Sequence, residues 1–233
     1  MKKVFLFDLD STLLEMNQDF YLNYYFEDIY NIASKNISDP KEFMKYFDMA
    51  AYALFSNDGS ISNEELFWQV MNQKNDYSKF MNLFDDYYKN DYNKLQFKLV
   101  KKTGFAKKIV DYLNSKGYIL ILATQPVFPK IATINRMKWA DLEESDFKYI
   151  STYENSHYCK PKWDYYTEIL NKLNIKPEEC IMIGNDIYDD FHHLPEEIDK
   201  YLITDYLINN KNLDITLKSF TLEGFYNYII NNF

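Results

Sequence analysis

Residues 4–7, Val-Phe-Leu-Phe, form a short unbroken apolar run that gives way at once to Asp8, Leu9, Asp10, Ser11 and Thr12. A continuous apolar run of this length predicts a strand covered on both faces, as in a parallel sheet. Similar runs recur at 118–123, 147–151, 180–183 and 201–204. Between them the apolar period changes to that of a helix. Phe105, Ile109, Val110 and Leu113 mark one helical face, closed by Lys116-Gly117 in the manner of a C-terminal glycine stop. Ile131, Ile134, Met137 and Trp139 mark a second after Pro129, and Trp163, Tyr166, Ile169, Leu170 and Leu173 a third. A last helix is expected over 222–230. Strands alternating with helices imply a parallel sheet with right-handed crossovers, an α/β doubly wound core of Rossmann-like form.

The stretch from 16 to 102 has no strand-like run. Phe20, Tyr24, Phe26, Ile29 and Ile32 recur at helical spacing up to about residue 35. Asp39-Pro40-Lys41-Glu42 combines an N-cap, a proline at the first helical position and a capping-box acid. It opens a helix through Phe43, Phe47, Ala50, Ala51 and Leu54, which Asn57-Asp58-Gly59 closes as a turn. Ser62-Asn63-Glu64-Glu65 starts another helix, and 77–97 reads as one or two more. The expected organisation is a catalytic core of 1–15 and 103–233 with an all-helical cap, 16–102, inserted after the first strand.

Composition narrows the class. With 233 residues, 47% hydrophobic and 18% aromatic, the chain can bury a substantial core and disorder is not expected. A net charge of −9 argues against nucleic acid or an anionic membrane surface as partner. Two cysteines, Cys159 and Cys180, are too few for a disulfide framework, and no run approaches the length of a membrane span. With no secretory signal at the start, a cytoplasmic protein is the expectation. Oligomeric state is not legible.

In open α/β sheets the ligand site lies beyond the carboxyl ends of the strands. Asp8 and Asp10 fall there, as do Thr124, Lys160, and Asp186 with Asp189 and Asp190. Two like charges about 4 Å apart cost roughly 4 kcal/mol at an effective dielectric near 20, so paired acids call for a proton or a cation. Taken singly, each residue has an ordinary explanation as a cap, a turn or a solvated charge. Their coincidence at one sheet edge suits phosphoryl transfer. A carboxylate can attack phosphorus and divide one hard displacement into two. Mg²⁺ bound by Asp8 and Asp186 would offset the negative charge. Lys160 would act as a point positive charge, and the Thr124 hydroxyl would hold equatorial oxygens. Asp10 would protonate the leaving oxygen and then take a proton from water.

These segments resemble the motifs of the haloacid dehalogenase superfamily of phosphohydrolases. Its Asp-x-Asp-x-Thr corresponds to Asp8-Leu9-Asp10-Ser11-Thr12, and its apolar strand ending in Thr or Ser to residues 119–124. Its Lys, often followed by Pro, is similar to Lys160-Pro161, and its acidic strand end to Gly184-Asn185-Asp186 with Asp190. The resemblance spans the chain, helical cap included. It implies that Asp8 is the nucleophile, Asp10 the acid/base, and the Asp10 carbonyl a third protein ligand to Mg²⁺. It makes Asp190 a ligand through water or a partner of Lys160, with Asp189 able to substitute. Departures are Ser11 where the family usually has Gly, Glu15 where many members have Asp, and Gln125 in place of the common Asn. Gln125 is the residue expected beside Thr124 and Lys160 at the substrate phosphate.

The implied activity is Mg²⁺-dependent hydrolysis of a small phosphorylated metabolite. Alternatives are a phosphomutase, a phospho-accepting module of receiver type, and a binding protein that retains the motifs. Asp10 and the large cap speak against the receiver, and Asp10 also speaks against carbon–halogen cleavage. His192-His193 is set aside as a metal site because adjacent side chains diverge. His157 is expected to make a loop hydrogen bond, and Cys159 to be a bystander thiol.

Overall fold

The structure, a computed structural model, describes residues 3–233. Six strands form one sheet in the order β3-β2-β1-β4-β5-β6, with every pairing parallel. They are β1 (Val4–Phe7), β2 (Ile119–Leu122), β3 (Tyr149–Ile150), β4 (Cys180–Gly184), β5 (Asp199–Ile203) and β6 (Lys218–Phe220). The chain runs outward from β1 to β3, then returns to lay β4 against the other side of β1. That reversal between β1 and β4 is where a doubly wound sheet opens a crevice at its carboxyl edge. Both strands are buried along their whole length, as their unbroken apolar runs require.

The sheet departs from the pattern at its margins. The third strand pairs over two residues only, and β6, Lys-Ser-Phe, was not expected at all. A three-residue edge strand is too short to carry a periodicity.

The helices that flank the sheet are α6 (Phe105–Ser115), α7 (Lys130–Trp139), α8 (Trp163–Leu173) and α9 (Leu222–Asn232). Preceding them are α1 (Gln18–Asn36), α2 (Pro40–Phe55), α3 (Asn63–Met71), α4 (Phe80–Lys89) and the short α5 (Gln96–Leu99). Local chemistry sets their starts. Asp39 accepts from the Glu42 amide and Pro40 occupies the first helical position. Ser62 and Glu65 close a reciprocal capping box at α3. The buried faces of α1 to α4 share one apolar cluster with Phe5 and Phe7 of β1, while the other side of the sheet packs on α8. Asp8 and Asp10 lie between these helices and the sheet edge, in the cavity both enclose.

Two segments join the helical stretch 16–102 to the α/β part, and they run side by side. Glu15 takes the Lys101 amide at its carbonyl (2.9 Å), and its carboxylate accepts from the Thr103 hydroxyl.

Candidate active site

The β1 strand ends by handing its last amide bond across to β4, Asp8 N–H to Ile183 O at 2.9 Å. The chain then turns tightly through Leu9–Leu14, with Ser11 at a left-handed φ of 66°. A non-glycine residue there is strained, and the Ser11 hydroxyl offsets this by donating to Met16 O at 2.8 Å. The turn fixes where Asp8 points. One Asp8 oxygen accepts from Lys160 Nζ at 2.8 Å and the other from Thr12 Oγ1 at 3.2 Å. Thr12 Oγ1 also lies 2.9 Å from Asn185 Oδ1, so the turn after β1 is tied to the end of β4.

Lys160 is buried and shared between two carboxylates, Asp8 and, at 2.6 Å, Asp190. The second Asp190 oxygen accepts the amides of Asn185 and Asp186, each at 3.0 Å. Gly184 is what allows this approach. A Cβ there would lie 2.1 Å from an Asp190 oxygen. Burial by itself would depress the Lys160 ammonium, but Asp190 and Asp8 hold its pKa well above the usual range. For Asp8 burial dominates and lifts the carboxyl to about 7, with Lys160 opposing and Asp190 adding to the rise.

Asp10 keeps 15% of its side chain exposed and meets a different cation. Arg136 on α7 donates from Nε to Asp10 Oδ1 at 3.0 Å and from Nη1 to the Tyr92 and Tyr21 hydroxyls at 2.8 and 3.3 Å. Its guanidinium sits 4.3 Å from the centre of the Phe128 ring, and its other terminal nitrogen, Nη2, has no hydrogen-bond partner among the described residues. Burial raises the Asp10 carboxyl against the pull of Arg136. Arg136 was missed in the sequence although a signal existed. It is the chain's single arginine, set among the apolar positions of a helix face.

The remaining acids sit on the turn after β4. One Asp186 oxygen caps that turn, accepting from the Tyr188 and Asp189 amides at 2.8 and 3.0 Å. Burial raises Asp186, and burial together with Asp186 pushes Asp189 up to about 6. Asp189 makes no ion pair with Lys160; that position belongs to Asp190.

The cavity wall includes Asp8, Asp10, Gln125, Lys160, Asp186, Asp189 and Asp190. Thr124 is buried and is not among the residues that line the cavity; its carbonyl accepts from Ser151 and Tyr165. Gln125, expected at the substrate phosphate, uses its side-chain amide on the main chain of Lys160. It accepts from the Lys160 amide at 2.9 Å and donates to the Lys160 carbonyl at 3.3 Å. His157 pairs with Glu168 at 2.6 Å, and His192 stacks on Tyr188. Burial pushes the Cys159 thiol up to about 12, which leaves it protonated.

Five carboxylates in this wall face one lysine, with Arg136 behind Asp10, so the site carries excess negative charge. Its donors are hard oxygens without thiolate or imidazole, which suits magnesium. Among the described residues no three Asp, Glu, His or Cys side chains form a ready-made metal cage. Magnesium typically takes one or two carboxylates and leaves its other positions to water and substrate phosphate.

A family model for haloacid dehalogenase-like hydrolases matches residues 2–190. The chain belongs to that family. Its fold is also that of solved haloacid dehalogenase-like proteins. A HAD phosphatase from Thermococcus onnurineus aligns over 98% of both chains at 17% identity, with a TM-score of 0.59. A candidate β-phosphoglucomutase from Thermotoga maritima aligns over all of both chains at 18% identity and TM-score 0.57. A candidate HAD-hydrolase from Bacillus subtilis, solved with magnesium bound, aligns over 99% of both chains at 17% identity and TM-score 0.55. At such identities the likeness establishes the fold alone. No curated protein matches the chain in sequence. Among the described residues no helix is long and apolar enough to cross a membrane.

Proposed function

We propose that this haloacid dehalogenase-like hydrolase is a phosphatase that cleaves a small phosphate monoester through an aspartyl-phosphate on Asp8. The observation that carries the reading is the Asp8–Lys160–Asp190 chain. It leaves one carboxylate of the β1 turn in the cavity wall with a buried ammonium at 2.8 Å. Lys160 orients Asp8 and would neutralise charge as the phosphoryl group arrives, while Thr12 holds the other carboxylate oxygen in place. Attack forms an Asp8 O–P bond and breaks the bond from phosphorus to the alcohol oxygen. Asp10, two residues on and held by Arg136, would give that oxygen its proton. It would then take a proton from the water that releases inorganic phosphate and restores Asp8.

Magnesium fits the same wall, with Asp8, Asp186 and the Asp10 carbonyl as its protein donors. When bound it supplies charge neutralisation for the phosphoryl oxygens. Asp190 holds Lys160, and Gln125 holds the Lys160 main chain. The substrate class is small-molecule, since a wall this acidic disfavours a polyanion.

The test is hydrolysis of p-nitrophenyl phosphate by purified protein. We expect turnover with Mg²⁺ that EDTA abolishes, and a loss of about 10³-fold or more in Asp8→Asn, the size typical of removing a nucleophile. Undiminished turnover in Asp8→Asn ends the proposal. A stable acyl phosphate without release of inorganic phosphate would instead mark a phospho-accepting module.

A further inference from the structure

The cavity that reaches Asp8 and Asp10 continues beneath the helices of residues 18–89 to a volume of about 760 Å³. That is far more than a phosphoryl group occupies, and it falls in the range of sites that bury a whole organic ligand. Its aromatic wall is built from Tyr25, Phe47, Phe67, Trp68, Phe84 and Phe128, all of them largely buried. Of the lining tyrosines, Tyr21, Tyr25 and Tyr88 have their hydroxyls engaged. Tyr25 pairs with Tyr88 and Tyr21 with Tyr92, each at 2.7 Å. The wall therefore presents ring faces and edges rather than a set of hydroxyls suited to a polyol.

The charge is as lopsided as the polarity. Lys160 is the one basic residue among the described cavity-lining residues, and it sits at the catalytic end between Asp8 and Asp190. Away from that end the charged groups are Asp19, Glu64 and Asp85. A second phosphate or a carboxylate on the substrate would meet like charge there and no cation. Water displaced from the rings would favour an apolar group in its place.

We propose that the substrate is the monophosphate of an alcohol that bears no further negative charge and carries an aromatic or similarly bulky apolar group, which occupies the aromatic end of this cavity. The inference rests on the phosphatase reading and narrows it from phosphate monoesters to one class of leaving group.

The experiment compares three phosphates of primary alcohols: 3-phenylpropyl phosphate, glycerol 1-phosphate and phosphoglycolate. Similar leaving oxygens keep the comparison on binding rather than on intrinsic reactivity. We expect kcat/KM for the phenylpropyl ester to exceed the other two by on the order of 100-fold, mostly through KM, since even one methylene in a pocket is worth 10–200-fold. Trp68→Ala should cut that ratio by tenfold or more. Because Trp68 is buried, Phe55→Ser provides a second variant at a lining position 41% exposed, where folding is not at stake, and the ratio should fall there too. An active enzyme that hydrolyses glycerol 1-phosphate or phosphoglycolate as well as the phenylpropyl ester overturns the inference and leaves the phosphatase reading standing. So does a ratio that neither variant moves. A protein that hydrolyses no ester under any condition removes the phosphatase reading itself.

Discussion

Arg136 Nε donates to Asp10 Oδ1 at 3.0 Å, and the same guanidinium donates to Tyr92 and Tyr21 on the helical side of the cavity. One buried side chain thus touches both the proposed acid/base and two residues of the segment that roofs it. A buried charge of this kind is stable only when paired, and Asp10 is the carboxylate that pairs it.

Arg136→Lys keeps the charge and loses the fork that reaches three groups at once. We expect kcat to fall by about tenfold or more, from misplacement of Asp10, with KM within about twofold. Arg136→Gln removes a cation that lowers the Asp10 pKa. The alkaline limb of the pH–rate profile should therefore move to higher pH. Steady-state kinetics across pH checks both, and a profile unchanged in Arg136→Gln would dissociate Arg136 from the proton step.

Asp8 predicts an unusual stability curve for protein stripped of divalent ions. Its carboxyl lies near 7 in the fold against 3.8 as a free side chain, because burial disfavours the charged form. A raised carboxyl pKa means that the fold prefers the protonated form. The Asp8 contribution is then complete below about pH 4 and is lost as pH rises towards 7. Asp8→Asn cannot ionise, so its melting temperature in EDTA at pH 8 should exceed that of the parent chain. At pH 4 the two should nearly coincide. Equal melting temperatures at pH 8 would contradict the burial argument.

Gly184→Ala tests a packing claim. The added Cβ would fall 2.1 Å from Oδ2 and 2.7 Å from Cβ of Asp190, so the whole side chain must move. Asp190 would then lose the Asn185 and Asp186 amides and release Lys160. Overpacking of this kind costs about 1–3 kcal/mol, readable by urea denaturation, and activity should fall with it.

Cys159 should be inert in the native protein. Its thiol is buried and pushed up to about 12, so at pH 8 almost none is thiolate, the form that reacts. Iodoacetamide followed by peptide mass spectrometry should find Cys159 unmodified until denaturant is added. Rapid native labelling would mean that the loop before Lys160 opens far more readily than its packing implies.

The parts of the site legible in the sequence are those whose position follows from strand ends. Asp8, Lys160 and Asp190 meet because β1, β4 and the loop after β3 finish at the same edge, and runs of buried apolar residues announce such strands. Gln125 lies in the cavity wall, and its side-chain contact was not legible. Its neighbour on the folded chain is the Lys160 main chain, and main-chain partners leave no residue type to read. Arg136 and the Tyr21–Tyr92 pair escaped for another reason. They meet across more than forty residues, where helical periodicity says which face is buried but not what that face will touch. The short β6 was invisible because three residues carry no pattern.

Glu15 and Thr103 bring the two chain crossings between the helical stretch and the α/β part together at one point. The chain therefore enters and leaves the helical stretch through neighbouring residues, and the covalent connections to it count as one anchor rather than two. Other anchors lie away from it, the Asn63 amide on Ser156 O at 2.8 Å, the Glu64 amide on Tyr153 O at 2.9 Å and Arg136 on the Tyr92 hydroxyl at 2.8 Å. Anchors at separate points fix both the height and the rotation of the helices over Asp10, so the shape of the cavity is a property of the whole seam rather than of the crossing alone.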